Sequence, residues 1–467
     1  MESSSAFNSH IPLELTLNIL HHLPVKSLVR FLCISKQWRH LISSQDFIKK
    51  HLKLSIESNR DCGIILRHYD DSDFLRFLFA PLHDNNQFGN AVEIHSALQL
   101  HILHHCDGLV CLSDEKDEVA IWNPLIRKYR KLPREPVQKP SGFEHSARAF
   151  AFGHDPQNDD YKVLRVVEFY NAKRSLKEFE VKVYSLKAQS WKKVEEQWPD
   201  KKLSFNPGSA SLNGAVHWLV DAPRSKIESL IAFDLATEKF RFYKAPDQPG
   251  DEERVFPTLE VLGRYLCYSV LVNHNDTTYH EVWLMKEYGV ESSWTQIYRI
   301  GQGEVPGIFV YWPVMFSKNG KEVLLEEARE HYMNLVWYDM ENKTGQRVEN
   351  RSFPCGFTAS ICTGSLLLLD GDNVIDPRDC KTLLLSVVVC AADDFCLINI
   401  NDNKIELRRI SKEILGLEQK IEYASLLMYL TSELSKHAGC NIWFYKELVK
   451  EYFAGGMSVT INCLLIA

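Results

Sequence analysis

The densest group of potential metal ligands in the chain is His101, His104, His105 and Cys106, where imidazole and thiolate together would suit zinc. No second Cys/His pair follows at a finger-like distance, so the stretch reads as a polar strand edge beside GLVCL at 108–112. Asp155, Asp159 and Asp160 in HDPQNDDYK lack the Gly and the terminal Glu of a calcium loop, and Asp155-Pro156 opens a turn instead. Gly301, Gly303 and Gly307 in GQGEVPG miss the dinucleotide spacing by one residue, and no Walker Lys-Ser/Thr follows a glycine run. A G-x-S-x-G elbow and a local Cys–His constellation are both missing from the sequence. His21 and His22 fall at a helix end, where a dipolar group suits the last carbonyls. The expectation is a chain with no catalytic residue, no metal and no cofactor. Trp122, Tyr184, Trp218, Phe233, Trp283 and Trp337 then read as core.

With little chemistry to position, the bulk properties set the frame. The 467 residues carry 54 Lys+Arg against 61 Asp+Glu, a net charge of -7, and 45% are hydrophobic. That length suits about two to four domains, and the mild acidity excludes a histone-like nucleic-acid binder. The longest apolar or small run, Leu383 to Ala392, is about half of what a membrane-spanning helix needs. MESSSAFNSHIP does not look like a secretory leader, so cytosol or nucleus is expected. The 12 cysteines contain no Cys-x-x-Cys pair and read as reduced, mostly buried thiols. The sequons at Asn275, Asn342 and Asn350 then read as chance matches.

The chain divides into unlike parts: residues 1–9 without order, a helical segment at 10–54, a strand-rich region at 55–400, and a tail at 401–467. In the first, Pro12 suits the first position of a helix carrying two apolar stripes, Leu13/Leu17/Leu20 and Ile11/Leu15/Ile19/Leu23. Pro24 starts a second helix with Leu28, Phe31 and Leu32. Ser35 would cap a third with Trp38, Leu41 and Ile42, and Phe47, Ile48 and Leu52 lie on a fourth turn. From 62 to 400 short strands rich in Val, Ile, Tyr, Trp and Phe dominate. An apolar-aromatic strand, a polar turn and a second strand recur. With Asn123, Ser185, Asp234, Met285 and Asp339 as equivalent points, the spacings are 62, 49, 51 and 54 residues. This is close to the ~50-residue period of a kelch-type blade, so a propeller is expected, with a sandwich as the other arrangement of such strands. The tail shows helical spacing at Ile410, Ile414 and Leu417 and again from Leu426 to Leu434, followed by a strand-like end.

Residues 11–52, IPLELTLNILHHLPVKSLVRFLCISKQWRHLISSQDFIKKHL, resemble an F-box. The strand-rich region resembles the F-box-associated domain of plant F-box proteins through GLVCL (108–112), IWNP (121–124), AFGHDPQNDDYKVLRV (151–166), VYSLKAQSWKKV (183–194), LNGAVHWL (212–219) and IAFDLATEKF (231–240). Ile11, Asn18 and Leu32 depart from the usual F-box pattern, and the likeness fades after about residue 350. The resemblance implies a mainly β chain, a small all-α F-box followed by a β-propeller-like, kelch-like domain, and the helical spacing beyond it adds an atypical helical tail. It implies a non-catalytic substrate receptor of a ubiquitin ligase, joined to a Skp-type adaptor and through it to cullin and RING subunits. Pro12, Leu15, Ile19, Leu20, Leu23, Pro24, Val25, Leu28, Ile34 and Trp38 would face the adaptor. A protein substrate would lie on the propeller, with no nucleic acid or membrane involved. The alternative function is a lectin-like or small-molecule-binding propeller whose F-box is incidental or regulatory.

The residues themselves support an unfinished surface. About 45 residues without metal or disulfide sit near the lower limit of autonomous folding. Leaving several Leu, Ile and Trp side chains wet would forfeit about 1.5–3 kcal/mol each, so some other surface must cover them.

Overall fold

The computed structural model describes residues 13–373 except 35, 59–60, 70–74, 95–100, 114–117, 144, 172, 174–176, 197, 202, 222–228, 248–252, 275–276, 302–304, 306–309 and 329–332; beyond these it describes strands at 387–391, 394–401, 404–408 and 463–465. Pro12, Ser35, most of GQGEVPG and the helical spacing expected at 410–434 lie outside the described residues. The chain divides into two compact units, Met1–Val374 and Ile375–Ala467. The last strand described in the first unit is Asp372–Asn373. In the second unit the described strands form one four-stranded sheet, ordered Lys404–Arg408, Asp394–Asn401, Val387–Ala391, Cys463–Leu465.

Four helices open the first unit: α1 (Leu13–His21), α2 (Val25–Phe31), α3 (Lys36–Ile42) and α4 (Gln45–Ser58). Pro24 (φ -60, ψ 148) breaks α1 from α2 and offers no side-chain cap. The cap comes from far along the chain, where Asp61 Oδ2 accepts a hydrogen bond from Val25 N at 2.7 Å. Ser44 Oγ accepts from Phe47 N at 3.3 Å and starts α4.

Among the described residues, six antiparallel sheets follow as the blades of a propeller, five of four strands and one, blade 2, carrying a fifth. Blade 2 comprises His101–Cys106, Leu109–Ser113, Val119–Asn123 and Lys128–Lys131. Blade 3 comprises His145–Asp155, Asp160–Tyr170, Lys177–Ser185 and Ser190–Lys193. Blade 4 comprises Ser204–Leu212, Ala215–Asp221, Ser229–Asp234 and Lys239–Lys244. Blade 5 comprises Glu253–Leu262, Tyr265–His274, Thr277–Met285 and Trp294–Gly301. Blade 6 comprises Val310–Phe316, Glu322–Ala328, Met333–Asp339 and Thr344–Arg347. The first strands of successive blades lie side by side around the axis.

Blade 1 closes the ring and is assembled from both ends of it. Cys62–Tyr69, Leu75–Pro81 and Val92–Ile94 come from the start, and Thr358–Thr363 supplies the innermost strand, with Gly63 opposite Cys362 and Leu66 opposite Ala359. Blade 6 is tied to blade 1 by Asn350 Nδ2, which donates to the carbonyls of Phe88 (3.2 Å) and Gly89 (3.1 Å), and by the Lys318–Asp84 ion pair. One sequon asparagine therefore serves as a staple.

The five equivalent positions read from the sequence are the last residues of the third strands of blades 2 to 6. The hairpin turns explain the repeat. Asn123 Oδ1 accepts from Leu125 N, Asp234 Oδ1 from Ala236 N and Thr237 N, and Asp339 Oδ1 from Glu341 N and Asn342 N. Four residues on, Arg127, Gln189, Glu238 and Lys343 all take φ between 53° and 57°, and in blade 5 Gly289 takes φ 82°. A left-handed residue costs on the order of 1 kcal/mol unless it is glycine, and the side-chain cap of the turn offsets that cost. Between the blades the aromatic residues are core, as expected: Trp122, Trp218 and Phe233 have 0% exposure. Trp283 is only partly buried.

The candidate docking surface

The short helices present two apolar sides. Leu20, Val25, Leu28, Ile42, Phe47 and Ile48 are buried in one continuous core with Ile65, Phe77 and Phe79 of blade 1 and Val110, Leu112 and Trp122 of blade 2. The helical segment is therefore finished on one side by its own propeller. On the other side Leu15 (55% exposed), Ile19 (56%) and Ile34 (59%) face outward, and Leu15 and Ile19 are one helical turn apart. Leu23 and Trp38 lie between these extremes: both are partly buried against the shared core, and Trp38 meets Phe31 edge-to-face at 5.3 Å. Pro24 is exposed.

Of the ten residues that the F-box resemblance assigns to an adaptor, Pro12 lies outside the described residues and the other nine fall into separate groups. Leu15, Ile19, Pro24 and Ile34 are accessible, Leu23 and Trp38 line an edge, and Leu20, Val25 and Leu28 are interior. Arg30, Lys36 and Lys50 of the helical segment are exposed as well. Lys26 instead lies 5.6 Å over the ring of Phe79, and Lys49 Nζ donates to Asp159 Oδ2 at 2.6 Å.

The seam between helices and ring is polar at one margin. A cleft of ≈ 470 Å³ there is lined by His21, His51, Asp61, His83, Asp84 and Lys318, among others. Burial holds the His51 imidazole below its usual range and pushes the Asp61 carboxyl up. His51 Nε2 bonds the Leu23 carbonyl at 2.9 Å, and His21 stacks on Phe47 with centroids 4.4 Å apart. Asp61 escaped the sequence reading. Its only local signal is an acidic residue just after a helix, and its target amide lies 36 positions earlier.

The other candidate sites have structural partners. His104 Nε2 meets the Phe150 carbonyl at 2.9 Å and Ser209 Oγ at 3.1 Å, and burial lowers its pKa to about 4. The side chain of His101 lies outside the described residues. The three carboxylates of HDPQNDDYK diverge: Asp155 takes Lys162 Nζ at 2.8 Å, Asp159 takes Lys49, and Asp160 takes Lys187 N at 2.9 Å. Asp155 also caps Gln157 N and Asn158 N, which makes the stretch the turn expected of it. Among the described residues, no group of three or more His, Cys, Asp or Glu is placed to hold a metal ion.

Residues 8–50 match the F-box domain, and residues 82–357, more than half of the chain, match the F-box associated beta propeller domain. The chain belongs to the F-box proteins that carry this propeller. Among relatives, it is 31% identical over 383 residues to F-box protein CPR1 of Arabidopsis thaliana, covering 77% of this chain and 89% of the relative. F-box protein At4g22390 of the same plant is 28% identical, with 76% and 90% covered. F-box/kelch-repeat protein At3g23880, also of Arabidopsis thaliana, is 26% identical, with 68% and 86% covered. The family match to the propeller stops at residue 357, one residue before the strand that closes the F-box protein's ring.

Proposed function

We propose that this F-box protein is the substrate receptor of a Skp–cullin–F-box ubiquitin ligase and works without a catalytic side chain of its own. The observation that carries the reading is the pair of opposite apolar faces on one small helical segment. One face is closed by the propeller, while Leu15, Ile19 and Ile34 are left outward at 55–59% exposure. Large aliphatic groups in a dry pocket are the usual anchors of an interface, and exposed Arg30, Lys36 and Lys50 suit an acidic partner surface. A Skp-type adaptor seated there would bring cullin and RING subunits with it. The propeller would then hold a protein near the ubiquitin thioester, where effective concentration supplies the rate. We place this work in the cytosol or nucleus, a reducing setting that suits Cys62, Cys111, Cys267 and Cys362 as buried free thiols.

Co-expression with a Skp-type adaptor and gel filtration test the reading. The full chain should co-elute with the adaptor. A Leu15→Asp/Ile19→Asp/Ile34→Asp variant should elute alone while keeping the melting temperature of the parent. Co-elution of that variant overturns the assignment of the docking face.

A further inference from the structure

The outer strands of blades 2 and 4 carry the same residue types at the same places. Counted from Asn123 and Asp234, Lys128-Tyr129-Arg130 and Lys239-Phe240-Arg241 hold the fifth to seventh following positions. Blade 3 has Ser190-Trp191-Lys192 there and blade 6 has Thr344-Gly345-Gln346.

On blade 2 the chain covers this edge itself. After the ring closes, Asn123 Nδ2 donates to the carbonyls of Ser365 and Leu367, both at 2.9 Å, and steers the strand across the blade. Asp372 then pairs with Tyr129 and Asn373 with Lys128, extending the sheet to five strands. Arg130 Nη2 donates to Asp370 Oδ2 at 2.8 Å. Gly371 lies so close that a Cβ would come within 2.8 Å of the Tyr129 carbonyl oxygen, so the edge selects a small residue between two acidic ones.

On blade 4 the matching strand Lys239–Lys244 is the last of its sheet. Glu291 accepts from Lys244 N at 2.9 Å and Trp294 Nε1 donates to the Lys244 carbonyl at 3.0 Å, which shows that the backbone of Lys244 points outward and closes that end. Outward groups alternate along an edge strand, so Phe240 and Phe242 also present theirs. Phe240 is the counterpart of Tyr129, with which Asp372 pairs. The side chain of Arg241 is 59% exposed, its ion pair among the described residues is a 3.9 Å contact with Asp234, it acts electrostatically on Tyr288, and Phe242 is 49% exposed. Among the described residues this edge has no partner strand, and its basic and aromatic side chains call for an acidic extended partner.

We propose that the outer edge of blade 4 takes an acidic extended segment of a partner protein by strand addition, with an Asp-Gly-Asp-type sequence seated on Phe240 and Arg241 as Asp370–Asn373 is seated on Tyr129 and Arg130. This goes beyond the receptor reading and does not depend on adaptor docking.

A labelled peptide Leu-Leu-Asp-Gly-Asp-Asn-Val, the sequence of residues 368–374, is titrated into the full chain and followed by fluorescence anisotropy. Saturable binding that weakens with added salt is expected. Arg241→Glu, at an exposed position where the fold should survive, should lower affinity by about tenfold or more. Arg130→Glu should leave binding unchanged, and a peptide with both Asp replaced by Lys should bind Arg241→Glu better than the parent chain. The proposal is overturned if the parent shows no saturable binding, if Arg241→Glu binds equally well, if the Lys peptide does not favour Arg241→Glu, or if Arg130→Glu abolishes binding. The last result would place the peptide on blade 2.

Discussion

Leu20 and Ile19 are neighbours on α1 with opposite fates: Leu20 is 1% exposed against the propeller, and Ile19 is 56% exposed. The same division separates Leu17, packed on the shared core, from Leu15. Hydrophobicity alone says that both stripes need a cover. Which cover each receives depends on where blade 1 lies, and Phe77, Phe79 and Ile65 settle that for the inner stripe. The helical segment is thus half of a fold and half of an interface, and its two sides respond to different experiments.

The sharpest of these removes a side chain from each face. Leu28→Ala deletes a fully buried group from the core common to helices and blades, and should cost about 2–5 kcal/mol in urea unfolding. Leu15→Ala with Ile19→Ala should change the same measurement by no more than about 0.5 kcal/mol per site, because both side chains already face solvent. Equal losses from the two variants would mean that the outer stripe is also packed by this chain, and the contrast between the faces would be gone.

A pH series adds the polar seam and the ring interior to the same comparison. Burial lowers His21 and His51 at the seam, and within the ring it lowers His104 and His217 to about 4 and His280 to about 3. In the unfolded chain these groups titrate near 6.5, so between 6.5 and about 4 the unfolded state binds more protons. Their contribution is fully present above about 6.5, falls as the pH drops through that window, and levels off below the folded values. The Asp61 carboxyl, raised by burial, has the opposite sign: protonation relieves its cost as the pH falls. Glu260, raised by burial to about 7, and Glu326, raised to about 8, share the sign of Asp61 and offset the imidazoles, so it is a Glu260→Gln/Glu326→Gln chain whose urea midpoint should be lower at pH 5 than at pH 7.5. A flat profile would show that these imidazoles are already protonated or solvated in the fold.

Much of the architecture was legible because it repeats. The third-strand ends fix the blade spacing through a side-chain cap and a left-handed residue, a purely local requirement that leaves Asn, Asp or Ser at the corner of blades 2, 3, 4 and 6, while blade 5 has Met285 there and Gly289 at the left-handed position. Blade 1 was not legible, since its strands stand about 290 residues apart at Leu66 and Ala359 and no local pattern joins them. The helical segment could be read as helices with two apolar stripes, yet the inward turn of Leu20, Val25 and Leu28 could not, because burial there is decided by blades folded from later sequence. Asn123 was legible as a repeat position but not as the clamp on Ser365 and Leu367. The same limit applies to Asp61, whose partner amide belongs to another element.

The smallest expected effect tests whether polar contacts share in holding the two parts together. Lys49 on α4 meets Asp159 at the first turn of blade 3, away from the apolar seam on blades 1 and 2. Its ammonium holds the Asp159 carboxyl below the usual carboxylate range, but both side chains are about half exposed, at 51% and 53%. Solvent screens such a pair, so a double-mutant cycle of Lys49→Ala and Asp159→Ala should return roughly 0.2–1 kcal/mol of coupling, shrinking further in high salt. A coupling above about 2 kcal/mol would give the ion pair a weight comparable to a buried leucine. The orientation of the docking face would then be set from blade 3 as much as from the common core.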